Sequence, residues 1–172
     1  MSKAVLITGC SSGIGHCAAH YLHQQGFKVV ASARQAEDVA RLKEEGLAAV
    51  RLDLADEASI EEGFEQALAL TGGTLYGLFN NGAYGQPGAL EDLPTLALRR
   101  QFDTNLFGTH HLTRLALPLM LAADEGRIIQ NSSVLGLVAM QFRGAYNATK
   151  FALEGYTDTL RLELAGTGVH VS

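Results

Sequence analysis

Short apolar segments alternate with amphipathic segments along the whole chain of 172 residues, and this alternation limits the possible folds most. The first apolar segment, Ala4–Thr8, is continuous, as strands buried on both faces are. The stretch that follows, Gly13–Gln25, has helical periodicity, and the same order recurs to the end of the chain. The pattern predicts an α/β fold, namely a doubly wound parallel sheet with helices on both faces.

The alternation resolves into six predicted strands and five predicted helices. The predicted strands are Ala4–Thr8, Phe27–Ala33, Ala48–Leu52, Leu75–Asn80, Arg127–Ser132 and Val169–Ser172. The predicted helices are Gly13–Gln25, Glu37–Glu45, Glu57–Leu70, a bent Thr95–Met120, and Ala145–Ala165. We expect a single domain over residues 1–172. Because domains rarely finish on an uncapped apolar strand, we also expect the sheet to be incomplete at its C-terminal end.

Composition narrows the class of protein. The chain is 47% hydrophobic and 18% charged, which is typical of a globular protein and excludes disorder. Its 13 basic and 18 acidic residues give a net charge of −5, which argues against nucleic-acid binding. Two cysteines are too few for a disulfide framework, and no apolar run reaches the length of a membrane span. We therefore expect a cytoplasmic protein.

A glycine-rich turn joins the first strand to the first helix. Thr8-Gly9-Cys10-Ser11-Ser12-Gly13-Ile14-Gly15 has three glycines with separable functions. Gly9 allows the tight turn, Gly13 lets the backbone approach a pyrophosphate, and Gly15 lets the helix pack on the sheet. The phosphates of a dinucleotide would then meet the N–H groups at the positive end of the helix.

This spacing resembles the short-chain dehydrogenase/reductase family, and later segments agree in order. They are Asp53 after the third strand, Asn80-Asn81-Gly82-Ala83 after the fourth, Asn105, Ser133, and Tyr146-Asn147-Ala148-Thr149-Lys150. The resemblance covers the whole chain and implies a Rossmann fold that binds a nicotinamide dinucleotide. The stretches around Gly9–Gly15 and Lys150–Gly155 are most similar to the steroid and retinol dehydrogenase branch. The residues expected to bind the cofactor are Gly9, Ser11, Ser12, Gly13, Ile14, Gly15, Arg34, Asp53, Asn80, Gly82, Tyr146 and Lys150.

Tyr146 and Lys150 lie one turn apart on the same face of a predicted helix. An isolated tyrosine has a pKa of about 10, and a nearby ammonium lowers it by favouring the phenolate. The pair can therefore act as a general acid/base near neutral pH. Tyr-x-x-x-Lys is common by itself, and only its place behind this glycine turn makes it a candidate catalytic pair.

Two further residues join the pair. Ser133 follows the fifth strand, where its hydroxyl could stabilise charge on a substrate oxygen, or simply cap a turn. Ser132 is the alternative, but the family's spacing to the tyrosine selects Ser133. By resemblance, Asn105 completes a catalytic tetrad by holding a water molecule that connects Lys150 to solvent; otherwise it is an ordinary helix-bending asparagine.

The end of the second strand predicts which nicotinamide cofactor is bound. NAD-binding members resemble one another in having Asp where this chain has Ala33, and Arg34 follows directly. A guanidinium suits a 2′-phosphate, so NADP(H) is preferred and NAD(H) stays possible. Ser12 weakens this preference, because some members have a basic residue there. By resemblance, Asp53 meets the adenine amino group and Asn80 the ribose region.

One segment departs from the family pattern. The family usually has Asn-Asn-Ala-Gly where this chain has Asn80-Asn81-Gly82-Ala83. Both versions keep small residues beside the cofactor. The exchange moves the residue that most easily adopts a positive φ by one position.

Several other features are interpreted as structural. His16, His20 and His23 form one stripe, predicted to face solvent or another subunit because Ile14, Ala18 and Leu22 form the core stripe of that helix. We therefore expect no metal site. Cys10 and Cys17 are interpreted as small packing residues. The apolar stripe on the last helix is predicted to be core and consists of Leu153, Tyr156, Leu160 and Leu164. In relatives, this helix and the helix that contains Asn105 pair with a second subunit. The resemblance therefore implies a homodimer or homotetramer.

These expectations describe an NADP-dependent oxidoreductase that interconverts a carbonyl and an alcohol on a small-molecule substrate. Two alternatives stay open. One is a dinucleotide-binding redox sensor without turnover, and the other is a truncated, catalytically silent fragment. Relatives continue into a Pro-Gly turn, a substrate loop and a seventh strand that are not in this sequence, so the sequence does not identify the substrate.

Overall fold

A computed structural model describes residues 2–172 and shows one six-stranded, wholly parallel sheet. The strands are β1 (Ala4–Ile7), β2 (Lys28–Ala33), β3 (Ala48–Arg51), β4 (Gly77–Asn80), β5 (Gly126–Gln130) and β6 (Val169–Val171). Their order across the sheet is β3-β2-β1-β4-β5-β6. The order reverses between β1 and β4, and at such a switch point the carboxyl ends of the strands leave a crevice for a ligand.

The helices lie where the periodicity predicts them, with one exception. They are α1 (Gly13–Gln24), α2 (Ala36–Glu44), α3 (Glu57–Thr71), α4 (Thr95–Phe102), α5 (Gly108–Ala123) and α6 (Gly144–Glu163). The predicted helix over 95–120 is in fact α4 and α5 joined by a π-helical turn, Asp103–Phe107. The predicted doubly wound α/β fold is confirmed. None of the helices within residues 2–172 is long and apolar enough to cross a membrane.

Two apolar cores lie on opposite faces of the sheet because neighbouring strand residues point to opposite sides. On one face, Leu6 and Leu78 pack with α3, α5 and α6. On the other, Val5 and Ile7 pack with α1 and α2. Leu153 and Leu160 of α6 and Leu164, which follows it, are buried, as predicted for core residues. Coverage is incomplete over β5, where Ile129 is 46% exposed.

The buried face of α1 was mispredicted at the start of the helix, where it begins at Gly15 and not at Ile14. Ile14 is 62% exposed, while Gly15 and Ala19 are the residues that the helix buries. The apolar pattern could not show this, because a glycine packs closely without adding any hydrophobic signal. The two cysteines also differ: Cys10 is buried, but Cys17 is exposed and so does not pack as predicted.

Candidate active site

The turn after β1 has a backbone that suits glycine and little else. Gly9 has a φ of 69°, in the left-handed region that other residues avoid. A Cβ atom added to Gly9 would lie 2.7 Å from the Cα of Gly82. A Cβ atom added to Gly15 would lie 2.5 Å from the carbonyl oxygen of Gly9. The turn, the start of α1 and the segment after β4 are therefore in backbone contact.

The N-terminus of α1 is left without a side-chain cap. Ser12 precedes the helix in an extended conformation and its hydroxyl makes no capping hydrogen bond. The first N–H groups of a helix lack partners within the helix and carry its positive dipole end. Space beside the turn is open, since a Cβ atom at Gly13 would meet nothing within 4 Å. These features suit an anionic group such as a pyrophosphate.

A cleft of about 200 Å³ lies beside this turn. Its walls come from the ends of β1, β2, β3 and β4, and its lining residues are Thr8, Gly9, Ser11, Ala33, Arg34, Leu52, Asp53, Leu54, Gly82, Ala83, Tyr84 and Thr104. Arg34 is exposed at one end of the cleft. Asp53 is half-buried, and its Oδ1 accepts a hydrogen bond from the N–H of Ala55 at 3.0 Å. Much of the predicted cofactor set is thus brought together at one edge of the sheet.

A polar network that the sequence analysis missed connects the turn to α6. The Nδ2 of Asn81 donates to the carbonyl oxygens of Thr8 at 2.9 Å and Gly9 at 3.1 Å. The Oδ1 of Asn81 accepts from the Nδ2 of Asn131 at 2.8 Å, and the Nζ of Lys150 donates to the carbonyl oxygen of Asn131 at 2.6 Å. The network therefore fixes the ends of β1, β4 and β5 relative to Lys150. The sequence does show polar residues directly after these strands. It does not show that Asn81 pairs with Asn131, because a contact between residues 50 positions apart produces no recognisable spacing.

Lys150 is buried beside Tyr146 on α6. Lys150 is 3% exposed, and its Nζ lies 5.6 Å from the centroid of the Tyr146 ring. Burial lowers the pKa of Lys150 to about 8 from its usual value of 10.5, although the nearby Glu154 carboxylate opposes this effect. Tyr146 is half-buried at the start of the helix. The pair thus has the proximity that the four-residue spacing predicts.

The two serines after β5 differ in their surroundings. The Oγ of Ser133 accepts a hydrogen bond from the N–H of Leu135 at 3.1 Å and so caps a short 3-10 turn, Val134–Gly136. A hydroxyl that accepts through one lone pair keeps its hydrogen free to donate. The Oγ of Ser132, by contrast, is buried without a partner among the described residues. Ser133 therefore combines the predicted capping function with a hydrogen available for a substrate oxygen.

Asn105 lies in the π-helical turn and is 2% exposed. Its Oδ1 accepts from the N–H of Tyr84 at 3.1 Å, and its Nδ2 donates to the carbonyl oxygen of Tyr84 at 2.9 Å. The same Nδ2 lies 3.2 Å from the Oγ1 of Thr149. The Asn105 side chain thus holds the loop after β4 against α6. Gln101, which the sequence analysis missed, binds the same loop through the carbonyl oxygen of Tyr84 and the N–H of Gln86.

Gly82 lines the cleft, whereas the side chain of Asn80 does not. Asn80 is 5% exposed and its Nδ2 donates to the Oγ1 of Thr113 at 3.0 Å, so its side chain joins β4 to α5 and does not reach the cleft. Gly82 does not have a positive φ. It is required for space, since a Cβ atom there would lie 2.8 Å from the Cδ1 of Leu54.

A second cavity, of about 420 Å³, opens on the other side of the loop after β4. It is lined by Ala83, Tyr84, Gly85, Leu135, Met140, Arg143 and Tyr146. Tyr146 therefore borders a space next to the cleft at the glycine turn. Glycine turn, cleft and switch point together define an α/β protein of the dinucleotide-binding class.

Comparison with known proteins identifies the family within this class. The short chain dehydrogenase family model matches residues 3–172, so the chain belongs to that family. An uncharacterized oxidoreductase of Escherichia coli K12, YbbO, is 46% identical over 172 residues, which are 100% of this chain and 64% of that protein. An NADPH-dependent 1-acyldihydroxyacetone phosphate reductase of Schizosaccharomyces pombe is 39% identical, over 99% of this chain and 57% of its own length.

Further relatives agree in fold and family. Bovine retinol dehydrogenase 8 is 34% identical over 99% of this chain and 57% of its own. The crystal structure of a short-chain dehydrogenase/reductase from Burkholderia phymatum in complex with NAD has a TM-score of 0.93 and 32% identity, over 99% of this chain and 64% of that one. The chain thus spans less than two thirds of the length of each of these relatives.

Close packing at Gly15 gives a first testable prediction. Gly15→Ala would place its Cβ 2.5 Å from both the Nδ2 of Asn81 and the carbonyl oxygen of Gly9. We expect the free energy of unfolding to fall by about 1–3 kcal/mol, as overpacking of rigid surroundings does. Gly155→Ala is the matched control, because a Cβ at that helical position meets nothing within 4 Å. Denaturant unfolding of both variants checks this, and equal stability would contradict it.

Proposed function

We propose that the protein is an NADP-dependent oxidoreductase that interconverts a carbonyl compound and an alcohol. The observation that carries this proposal is the position of Tyr146, which borders the second cavity while the buried Lys150 lies beside its ring. NADPH consumption in the presence of a panel of aldehydes and ketones tests it. The relatives named as oxidoreductases or reductases support the reaction class.

The site fits a nicotinamide dinucleotide. The glycine cradle between Gly9, Gly15 and Gly82 has no room for side chains, and the uncapped start of α1 suits the pyrophosphate. When bound, the nicotinamide supplies or accepts the hydride. Asp53 lies in the cleft wall where an adenine amino group could donate to it.

In the proposed reaction, side chains of the protein transfer the proton. In the reducing direction, Tyr146 donates its phenolic proton to the oxygen of the substrate, and the Ser133 hydroxyl stabilises the developing charge on that oxygen. The ammonium of Lys150 stabilises the resulting phenolate. Asn105 acts as a positioning residue, because it fixes the loop that separates the two cavities. Alcohol oxidation runs the same steps in reverse.

Cationic residues at the end of β2 favour NADP. Arg34 lines the cleft, and Ala33 offers no carboxylate that would repel a phosphate. The structure adds Arg51, which is paired with Ala33 in the sheet and whose Nε donates to the carbonyl oxygen of Arg34 at 3.2 Å. Two guanidinium groups therefore lie at the edge where a 2′-phosphate would bind.

Arg34→Ala is expected to weaken NADPH binding by about 10- to 100-fold and to leave NADH binding almost unchanged. The reason is the loss of a charge-assisted hydrogen bond to the 2′-phosphate, which contributes about 1.5–3 kcal/mol. Dissociation constants for both cofactors at fixed salt measure this. Lys28→Ala, at the opposite end of β2, is the control for a general loss of positive charge. Equal weakening of both cofactors by Arg34→Ala would contradict the NADP assignment.

We further propose that the protein forms a homodimer or homotetramer through α6 and the helices around Asn105. Large apolar side chains are exposed there, including Phe107 at 56% and Phe151 at 47%. Exposed aromatic residues on adjoining helices are typical of a protein–protein interface. Sedimentation of the wild type and of Phe107→Ser/Phe151→Ser distinguishes an oligomer from a monomer.

A further inference from the structure

Two histidines of α1 converge on one carboxylate at the end of α2. His16 and His20 lie one turn apart, and their ring centroids are 4.6 Å apart. The Nε2 atoms of His16 and His20 lie 2.8 Å and 2.9 Å from the same Oε2 of Glu45. These two residues of the stripe predicted to face solvent or a subunit are partly exposed, and they also contact the residue that follows α2.

These three side chains have the donor set and spacing of a metal site. Two imidazole nitrogens and a carboxylate oxygen are a known combination of Zn²⁺ ligands that leaves a fourth position for water. All three ligand atoms lie within 4.8 Å of one another. Tetrahedral Zn²⁺ separates its ligand atoms by about 3.3 Å, so the present N···O distances need to open by only about half an ångström.

Access and charge also suit an ion. The side chains of His16, His20 and Glu45 are 34%, 29% and 30% exposed, so an ion can enter without unfolding either helix. Glu45 adds a carboxylate whose charge attracts a cation. We propose that His16, His20 and Glu45 bind a divalent transition-metal ion such as Zn²⁺.

The ion would join α1, which follows the glycine turn, to the end of α2. Glu45 follows the last residue of α2, and Arg41 in that helix donates from its Nη2 to the carbonyl oxygen of Ser11 at 2.6 Å. The Nε of Arg41 also lies 3.6 Å from the Oε1 of Glu45. The site therefore fixes the end of α2, from which Arg41 holds the glycine turn, without any ligand in the cleft itself.

Zn²⁺ titration of the chelator-treated, tag-free protein tests the proposal by isothermal calorimetry. A Cys17→Ser background removes the exposed thiol on the same helix as a competing ligand. We expect one equivalent of Zn²⁺ to bind and to raise the thermal midpoint. His20→Gln and Glu45→Gln should each weaken binding at least about tenfold, since even loss of a ligand's supporting residue has that effect. Co²⁺ should give the visible absorption of tetrahedral nitrogen and oxygen coordination.

His23→Gln is the matched control, because this exposed histidine of α1 lies outside the three-residue cluster. It should leave the affinity and the Co²⁺ spectrum unchanged. Absence of stoichiometric Zn²⁺ binding in the background protein would overturn the proposal and leave only hydrogen bonds between the helices. Equal weakening by His23→Gln and His20→Gln would overturn it as well, since binding would then be unspecific.

Discussion

Tyr146→Phe is expected to lower the rate of carbonyl reduction by about 10²–10⁴-fold, the usual contribution of general acid/base catalysis. The substitution removes only the phenolic hydroxyl, while the ring, which packs beside Gly85 at the second cavity, is kept. NADPH affinity should therefore change little. Steady-state rates together with NADPH dissociation constants measure the two effects separately.

Tyr21→Phe serves as the control for the tyrosine substitution. Tyr21 is 61% exposed on α1, away from the cavity that Tyr146 lines. It should keep the wild-type rate. A Tyr146→Phe variant with more than half of the wild-type rate would show that another group transfers the proton.

Lys150→Met is expected to abolish most activity and, at neutral pH, to stabilise the fold. The activity falls because the phenolate of Tyr146 loses its neighbouring ammonium, so the pKa of the phenol rises. The fold gains stability because a buried charge is replaced by an apolar side chain of similar length, and loss of the hydrogen bond to the Asn131 carbonyl oxygen offsets only part of this gain. Rate and stability thus change in opposite directions, which a merely structural lysine would not produce.

The pH dependence of this stability follows from the depressed pKa. Lys150 loses its proton at about pH 8 in the folded chain, while the unfolded chain keeps it to the usual 10.5. Between these values the unfolded state binds more protons, so wild-type stability rises with pH. Below pH 8 the full cost of the buried charge is present, at most about 3 kcal/mol.

Denaturant unfolding across this pH range measures the difference between Lys150→Met and the wild type. The variant should be more stable at pH 7, and its advantage should shrink between pH 8 and 10.5. A variant that is less stable at every pH would contradict the assignment of a strained, buried lysine. A pH–rate profile identical to that of the wild type would show that Lys150 does not tune Tyr146.

The fold was predicted from local sequence patterns, and the features that depend on contacts between distant residues were not predicted. Buried parallel strands are continuous apolar runs, so all six were visible in the sequence. The π-helical turn was not visible, because Asn105 is held there by Tyr84, 21 residues away. Ile14 was assigned to the core because the glycine that packs in its place, Gly15, adds no hydrophobic signal.

In the candidate site, too, contacts between residues close in sequence were predicted and contacts between distant segments were not. Tyr146 and Lys150 share a helix, so their proximity follows from spacing alone. The link from Asn81 to Asn131 and the meeting of His16 with Glu45 join segments that are distant in sequence, and only the folded sheet brings them together. The hydrogen bond from the Asn80 side chain to Thr113 was not predicted either, because the sequence at the end of a strand does not reveal which side chain faces the cleft.

Transfer of deuterium from reduced, 4-deuterated NADPH to a carbonyl carbon tests the proposed function most directly. Mass spectrometry of the alcohol formed from a panel of aldehydes and ketones detects the label. We predict label in the product with the wild-type protein and its loss with Tyr146→Phe. NADPH binding at the glycine turn without label in any product would contradict the proposed reaction and favour a redox sensor.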